Sequence, residues 1–276
     1  MSTEIGVVNG TTRVNGTATP HGPANASGPA LPARKAAPKP APATRTDPRI
    51  LIIIPAWNEA GSIADVIQEV RGELPLVDIL VVDDGSTDAT TRVALDNGAL
   101  ATTLPYNLGV GGAMRLGYRY AYENDYDVAV QLDADGQHDP RYVAKLVDGL
   151  SEASFVVGAR FAGEGDYDVR GPRRWAMNLL SFVLSRMAKT KLSDTTSGFR
   201  ACDRELIELF AQWYPAEYLG DTVEAMVRVI RLGYKVQQVP VAMRPRAAGQ
   251  PSKSPIKATI YLGRAMITLL LAINRK

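Results

Sequence analysis

Arg49-Ile50-Leu51-Ile52-Ile53-Ile54-Pro55 is an unbroken apolar run closed by a proline. A strand with one wet face alternates apolar and polar side chains. A run without alternation belongs to a strand covered on both faces, the usual condition of a parallel sheet. The residues downstream repeat the theme. Ile63, Val66, Ile67 and Val70 give helical spacing over 61–72, and Asp78–Val82 reads as a second buried strand. Thr87 and Asp88 are good N-caps for a helix. Residues 99–104 read as a strand, 109–123 as a helix opened by glycines, and 127–132 as a fourth strand. Pro140 suits the first turn of a helix over 140–150, and 155–157 is a fifth strand. Strand and helix alternate, which predicts an α/β domain with a mainly parallel central sheet and ligands beyond the carboxyl ends of the strands.

Farther along, 163–171 reads as a loop and 172–189 as an amphipathic helix. A helix is expected over 221–232 and a strand over 236–243. Residues 254–276 form a basic amphipathic segment with Arg264 in its middle. Its apolar part is too short and too interrupted for a bilayer span of about 20 residues. It suits an interfacial helix, a helix docked on a membrane partner, or a helix on the protein's own core.

Composition bounds the chemistry. With 46% hydrophobic and 22% charged residues, the chain is of the globular class. Cys202 is its one cysteine, so a disulfide framework and a Cys-based zinc site are excluded. His21 and His138 are its two histidines, so any bound metal is expected to take oxygen ligands. Eight of the 18 prolines fall in residues 1–48, and that segment, lacking an apolar period, reads as a disordered tail. Charge is unevenly spread: +3 over 1–48, −8 over 49–240 and +7 over 241–276. The acidic body argues against a nucleic-acid partner, which needs a broad basic face. The basic end suggests an anionic partner, a membrane surface among them. The start shows no basic segment followed by an apolar run, so the expectation is a cytoplasmic protein, peripheral at the inner membrane face.

Three polar clusters fall at strand ends. Asp133-Ala134-Asp135-Gly136-Gln137-His138 places two carboxylates at i and i+2, able to converge on Mg²⁺ or Mn²⁺, with Gln137 as a neutral oxygen donor. Asp83-Asp84-Gly85-Ser86-Thr87-Asp88 offers in Asp84 an acceptor for a nucleobase N–H, or else plain turn and cap chemistry. Pro55-Ala56-Trp57-Asn58-Glu59 offers an aromatic face and a polar clamp, or a packing lid. A fourth segment, Asn107-Leu108-Gly109-Val110-Gly111-Gly112, is glycine-rich but has Met114 where a dinucleotide fingerprint needs its last glycine.

Taken together, Ile54–Glu59, Val81–Asp88, Asn107–Gly109 and Leu132–His138 resemble the family 2 glycosyltransferases of GT-A fold, over roughly residues 49–253. Val157–Arg160, Asp194–Arg200 and Arg246 with Ser252-Lys253 are similar to the branch acting on dolichol and polyprenol phosphates. The resemblance implies a metal-dependent inverting transfer of a sugar from a nucleoside diphosphate sugar to a polyprenyl phosphate. It implies that Pro55, Trp57 and Glu59 line the nucleotide pocket and that Val82 and Asp84 hold the base. Asp133 and Ala134 would meet the nucleotide sugar, and Asp133, Asp135 and Gln137 the metal. Arg160, Arg200, Arg246 and Lys253 would gather phosphate charge beside Asp135. A phosphate acceptor is already anionic and needs no strong base. A soluble hydroxyl acceptor would need one, with Asp194, Asp221 and Glu224 as candidates. A nucleotide-sugar-binding partner without turnover is the third reading.

Overall fold

The computed structural model of the 276-residue chain describes residues 47–160, 172–215 and 221–244. All but the last two residues of the expected tail, the loop 163–171, Arg246, Lys253 and the C-terminal helix lie outside the described residues.

β1 (Ile50–Ala56) carries Leu51 through Ile54 wholly buried, as the unbroken apolar run requires. Each such side chain contributes about 2–3 kcal/mol on leaving water. β2 (Asp78–Asp83) lies parallel on one side of β1, with Ile54 opposite Val81, and β3 (Leu100–Thr103) continues that side. The chain then crosses to the other side of β1 with β4 (Val128–Gln131), also parallel. The order of the seven strands is β3-β2-β1-β4-β6-β5-β7. β5 (Phe155–Ala159) and β7 (Val236–Pro240) pair in parallel, and β6 (Arg200–Cys202) runs against both β4 and β5. The sheet is therefore parallel except for β6. Because β2 and β4 leave β1 on opposite sides, the crevice at their carboxyl ends is where ligands of this architecture sit.

Helices cover both faces. Ile52, Ile54, Val81, Val130 and Leu132 face α1 (Ile63–Glu73), α2 (Thr90–Asp96) and α4 (Val143–Asp148). Leu51, Ile53, Leu80, Val82 and Ala129 face α3 (Val110–Glu123) and α6 (Arg204–Gln212), in a cluster shared with α5 (Pro172–Ala188) and α7 (Asp221–Arg231).

Several boundaries differ from the sequence reading. α2 begins at Thr90, because Asp88 accepts the Thr90 N–H before the helix starts. The expected helix over 140–150 is divided into a 3₁₀ turn at Pro140–Tyr142, α4, and another 3₁₀ turn at Gly149–Ser151. The last strand stops at Pro240, and Met243 bridges antiparallel to His138 instead. β6 and α6 had not been expected. β6 is three residues long with a charged residue in it, too short for a period. α6 does carry a readable signal: Asp203 caps Leu206 N–H at 3.0 Å, and Leu206, Ile207 and Phe210 are buried at helical spacing.

Candidate active site

Four loops lie at the carboxyl rim, and hydrogen bonds tie the first to the second and the second to the third. After β1, Asn58 takes a left-handed φ of 55°. Its N–H donates to Ser86 Oγ at 2.8 Å, and its Oδ1 accepts the Thr87 N–H at 2.9 Å. Glu59 N–H donates to Thr90 Oγ1, and Ala60 N–H to Asp88. These bonds hold the first loop against the second. Trp57 stands half exposed there, as a face offered to a flat ligand requires. Pro55, the next-to-last residue of β1, lies beside Val82. The Glu59 carboxylate accepts from Ser62 Oγ at 2.7 Å, so it also braces the start of α1.

The second loop holds the third. Asp84 is nearly buried, and its two oxygens accept the N–H groups of Leu108 at 2.7 Å and Gly109 at 2.8 Å. Burial raises this carboxyl above its usual range, against the pull of the two N–H groups, and neighbouring Asp83 adds to the rise. Gly85 makes the junction possible. Its φ is +73°, and a Cβ there would lie 2.8 Å from the Tyr106 carbonyl carbon. What Asp84 visibly does is brace a loop, one of the two readings its sequence left open. The Val82 side chain is wholly buried on the α3 side of the sheet, which leaves its main chain to approach a base. The Ala134 side chain is likewise in the core, 4% exposed.

The loop after β4 brings Asp133, Asp135 and Gln137 into one turn, with Gly136 at φ 74°. Asp133 is the open member, its side chain 39% exposed. Its N–H donates to His138 Nδ1 at 3.0 Å. Asp135 is nearly buried, and its Oδ1 accepts the Gln137 N–H at 3.0 Å. His138 is buried and stacks on Phe199 with centroids 4.9 Å apart, so it is a support of the loop. Gly198 passes directly behind Asp133: a Cβ there would come within 3.2 Å of both carboxylate oxygens.

Two carboxylates and an amide oxygen are hard donors of the kind Mg²⁺ and Mn²⁺ prefer. Among the described residues no group of three His, Cys, Asp or Glu side chains could enclose an ion alone. The donor set thus fits a cation that completes its shell with substrate phosphate and water, the usual habit of Mg²⁺.

The expected phosphate cations divide. Arg160 follows β5 and grips Asp194: Nε donates to Oδ2 at 2.6 Å and Nη2 to Oδ1 at 2.9 Å. Burial would raise the wholly buried Asp194 carboxyl, but Arg160 and the Thr196 N–H outweigh it and hold it below the usual range. A carboxylate so committed is a poor general base. Asp194 therefore positions Arg160, a correction to its candidacy as base. Arg200 is placed differently from Arg160. It lies inside the core, 1% exposed, with its guanidinium near the rings of Phe155 and Tyr214. Its Nε donates to Gln131 Oε1 at 2.9 Å, and Gln131 Nε2 reaches Asp133 Oδ1 at 3.4 Å. It meets the metal loop from beneath, through Gln131.

Sequence reasoning missed Arg244. It donates through Nη1 to Glu69, through Nη2 to Asp139 at 2.8 Å, and through its main chain to Gln137 O at 3.0 Å.

The fold that carries these loops is of GT-A type. Residues 51–210 match the family described as Glycosyl transferase family 2, and the chain belongs to that family of enzymes. It is 32% identical over 217 residues to undecaprenyl-phosphate mannosyltransferase of Micrococcus luteus, covering 75% of this chain and 88% of that one. It is 32% identical over 226 residues to polyprenol monophosphomannose synthase of Mycolicibacterium smegmatis, covering 75% and 82%. The fold also matches glucosyl-3-phosphoglycerate synthase of Mycobacterium tuberculosis, solved with Mn²⁺, UDP-glucose and phosphoglyceric acid. That match has a TM-score of 0.61 and 25% identity, covering 82% of this chain and 79% of the other.

Proposed function

We propose that this protein moves a hexose from a nucleoside diphosphate sugar to a polyprenyl phosphate, with inversion at the anomeric carbon. The observation that carries the reading is likeness across most of the chain to two enzymes named for sugar transfer to prenyl phosphates. The loops at the carboxyl rim supply a donor site to go with it. Trp57 and Glu59 border the nucleotide, and Pro55 with the Val82 main chain and Asp84 form the floor beneath the base. Asp133, Asp135 and Gln137 would hold Mg²⁺ or Mn²⁺, which when bound supplies positive charge to the departing diphosphate. Asp133 and the Ala134 main chain lie where the donor sugar joins that diphosphate. Arg160 faces the developing charge with its orientation fixed by Asp194. Arg246 and Lys253, outside the described residues, are proposed to add charge on the acceptor side. The acceptor phosphate attacks as an anion, so no residue need take a proton from it.

Among the described residues no helix is long and apolar enough to cross a membrane. The lipid substrate would be reached at the membrane surface through the basic 241–276 end, or through a membrane-protein partner, by a protein read as cytoplasmic from its sequence. A second reading, transfer to a soluble hydroxyl, draws on the likeness to glucosyl-3-phosphoglycerate synthase. It lacks Asp194 as a base.

The two readings separate when labelled UDP- and GDP-sugars are incubated with the protein and either polyprenyl phosphate or soluble hydroxyl acceptors. Label entering the organic phase only with polyprenyl phosphate supports the proposal. Label carried by a soluble acceptor, with none on the lipid, overturns it.

A further inference from the structure

The chain leaves the sheet after Pro240 and returns across the loop that follows β4, where Met243 bridges to His138. At the next residue the contacts concentrate on Gln137. Arg244 N–H donates to Gln137 O at 3.0 Å, and Gln137 Nε2 donates back to Arg244 O at 3.4 Å. The amide nitrogen of Gln137 is thereby engaged, and its oxygen is the end left for a cation. A side-chain amide presents an acceptor at one end and donors at the other, so its orientation decides whether it attracts a cation or repels it.

The Arg244 guanidinium pins this arrangement from the other side. Nη2 meets Asp139, whose side chain is 3% exposed, and Nη1 meets Glu69 on α1. The planar fork of Arg suits two carboxylates at once, which a Lys cannot match.

We propose that Arg244 is a positioning residue that sets the Gln137 amide for the donor's metal ion, and so ties the metal loop to α1 and to the segment leading to Arg246 and Lys253. The inference rests on the metal reading of Asp133, Asp135 and Gln137 given above. Groups that orient a ligand from behind are worth about 10–100-fold in metal affinity.

The test is Mn²⁺ binding, followed by the EPR signal of unbound Mn²⁺ in titrations of protein with UDP or GDP, against nucleotide alone. Arg244→Ala should weaken Mn²⁺ binding about tenfold or more. Its melting temperature should stay within a few degrees, and Arg244→Lys should recover only part of the loss. If Arg244→Ala does not fold, Glu69→Gln, on α1 away from the loop, should weaken Mn²⁺ in the same direction by a smaller factor. Wild-type Mn²⁺ affinity in a folded Arg244→Ala protein, or in folded Glu69→Gln where that variant replaces it, overturns the inference while leaving the metal reading standing. Absence of nucleotide-dependent Mn²⁺ binding in the wild type overturns the metal reading and this inference with it.

Discussion

Replacing Gly85 by alanine separates two costs that are usually confounded. The first is conformational. A residue with a Cβ held at positive φ loses about 1–2 kcal/mol relative to glycine. The second is a collision. The new Cβ would lie 2.8 Å from the Tyr106 carbonyl carbon, 2.9 Å from its Cα and 3.0 Å from Asn107 N, all backbone atoms. Relief to an ordinary carbon contact of about 3.5 Å demands a retreat of roughly 0.7 Å. The Asp84 bonds to Leu108 and Gly109 begin at 2.7 and 2.8 Å. The same retreat stretches them to roughly 3.4–3.5 Å, the edge of hydrogen bonding. Losing about half of two bonds to a charged acceptor costs about 2–3 kcal/mol. Gly85→Ala should therefore cost about 3–5 kcal/mol in urea unfolding, and should weaken nucleotide binding as the third loop shifts. Gly233→Ala is the internal standard: its φ is +87° and nothing lies within 4 Å of the added carbon. It should lose only the conformational part, about 1–2 kcal/mol. Equal losses in the two variants, or wild-type nucleotide affinity in Gly85→Ala, would refute the account of how the loops are tied.

Other substitutions probe other supports. Asp194→Asn keeps the shape but leaves Arg160 without its counter-charge, so about 3 kcal/mol of stability should be lost by urea titration; a loss under 1 kcal/mol would contradict the pairing. Gly198→Ala presses on both Asp133 oxygens. Transfer should fall about tenfold with the melting temperature nearly unchanged, because small misplacements of reacting groups are costly; unchanged kcat/KM would show that Asp133 tolerates displacement. Asp139 sits at about 2, below its usual 3.8. A depressed carboxyl stabilises the fold above its unfolded value, so this contribution is present above about pH 4 and lost as pH falls toward 2. Asp139→Asn should flatten the stability profile between about pH 4 and 2, and an unchanged slope there would count against the Arg141–Asp139–Arg244 group.

Much of this architecture was legible because burial writes itself into apolar runs. The run Leu51 through Ile54 suits a strand covered on both faces, and the polar clusters at Asp84 and Asp133 fall where such strands end. The loop after β4 was readable for the same reason: two carboxylates with one residue between them seldom close a buried strand without a task. β6 was hidden because three residues carry no period and Arg200 disguises a core position. Its charge is accommodated by Gln131, Tyr214 and aromatic rings, partners 69 and 14 residues away that no local pattern reveals. Asp194 reads from sequence as a candidate base and from structure as the anchor of Arg160, because a carboxylate's role depends on who holds its oxygens. Arg244 carries no motif at all. Its importance comes from a chain crossing after Pro240 that brings it against Gln137, 107 residues distant.

The central claim is cation-dependent transfer of a sugar onto a lipid phosphate from the site at Asp133, Asp135 and Gln137. Its most direct test compares wild type with Asp135→Asn, using labelled donor, polyprenyl phosphate and Mn²⁺, with and without chelator, and counting label in the organic phase. The account predicts lipid-linked label in the wild type, its loss on chelation, and a fall of about a hundredfold or more in a folded Asp135→Asn protein. Undiminished lipid labelling by Asp135→Asn, or labelling that survives complete removal of the cation, would contradict it.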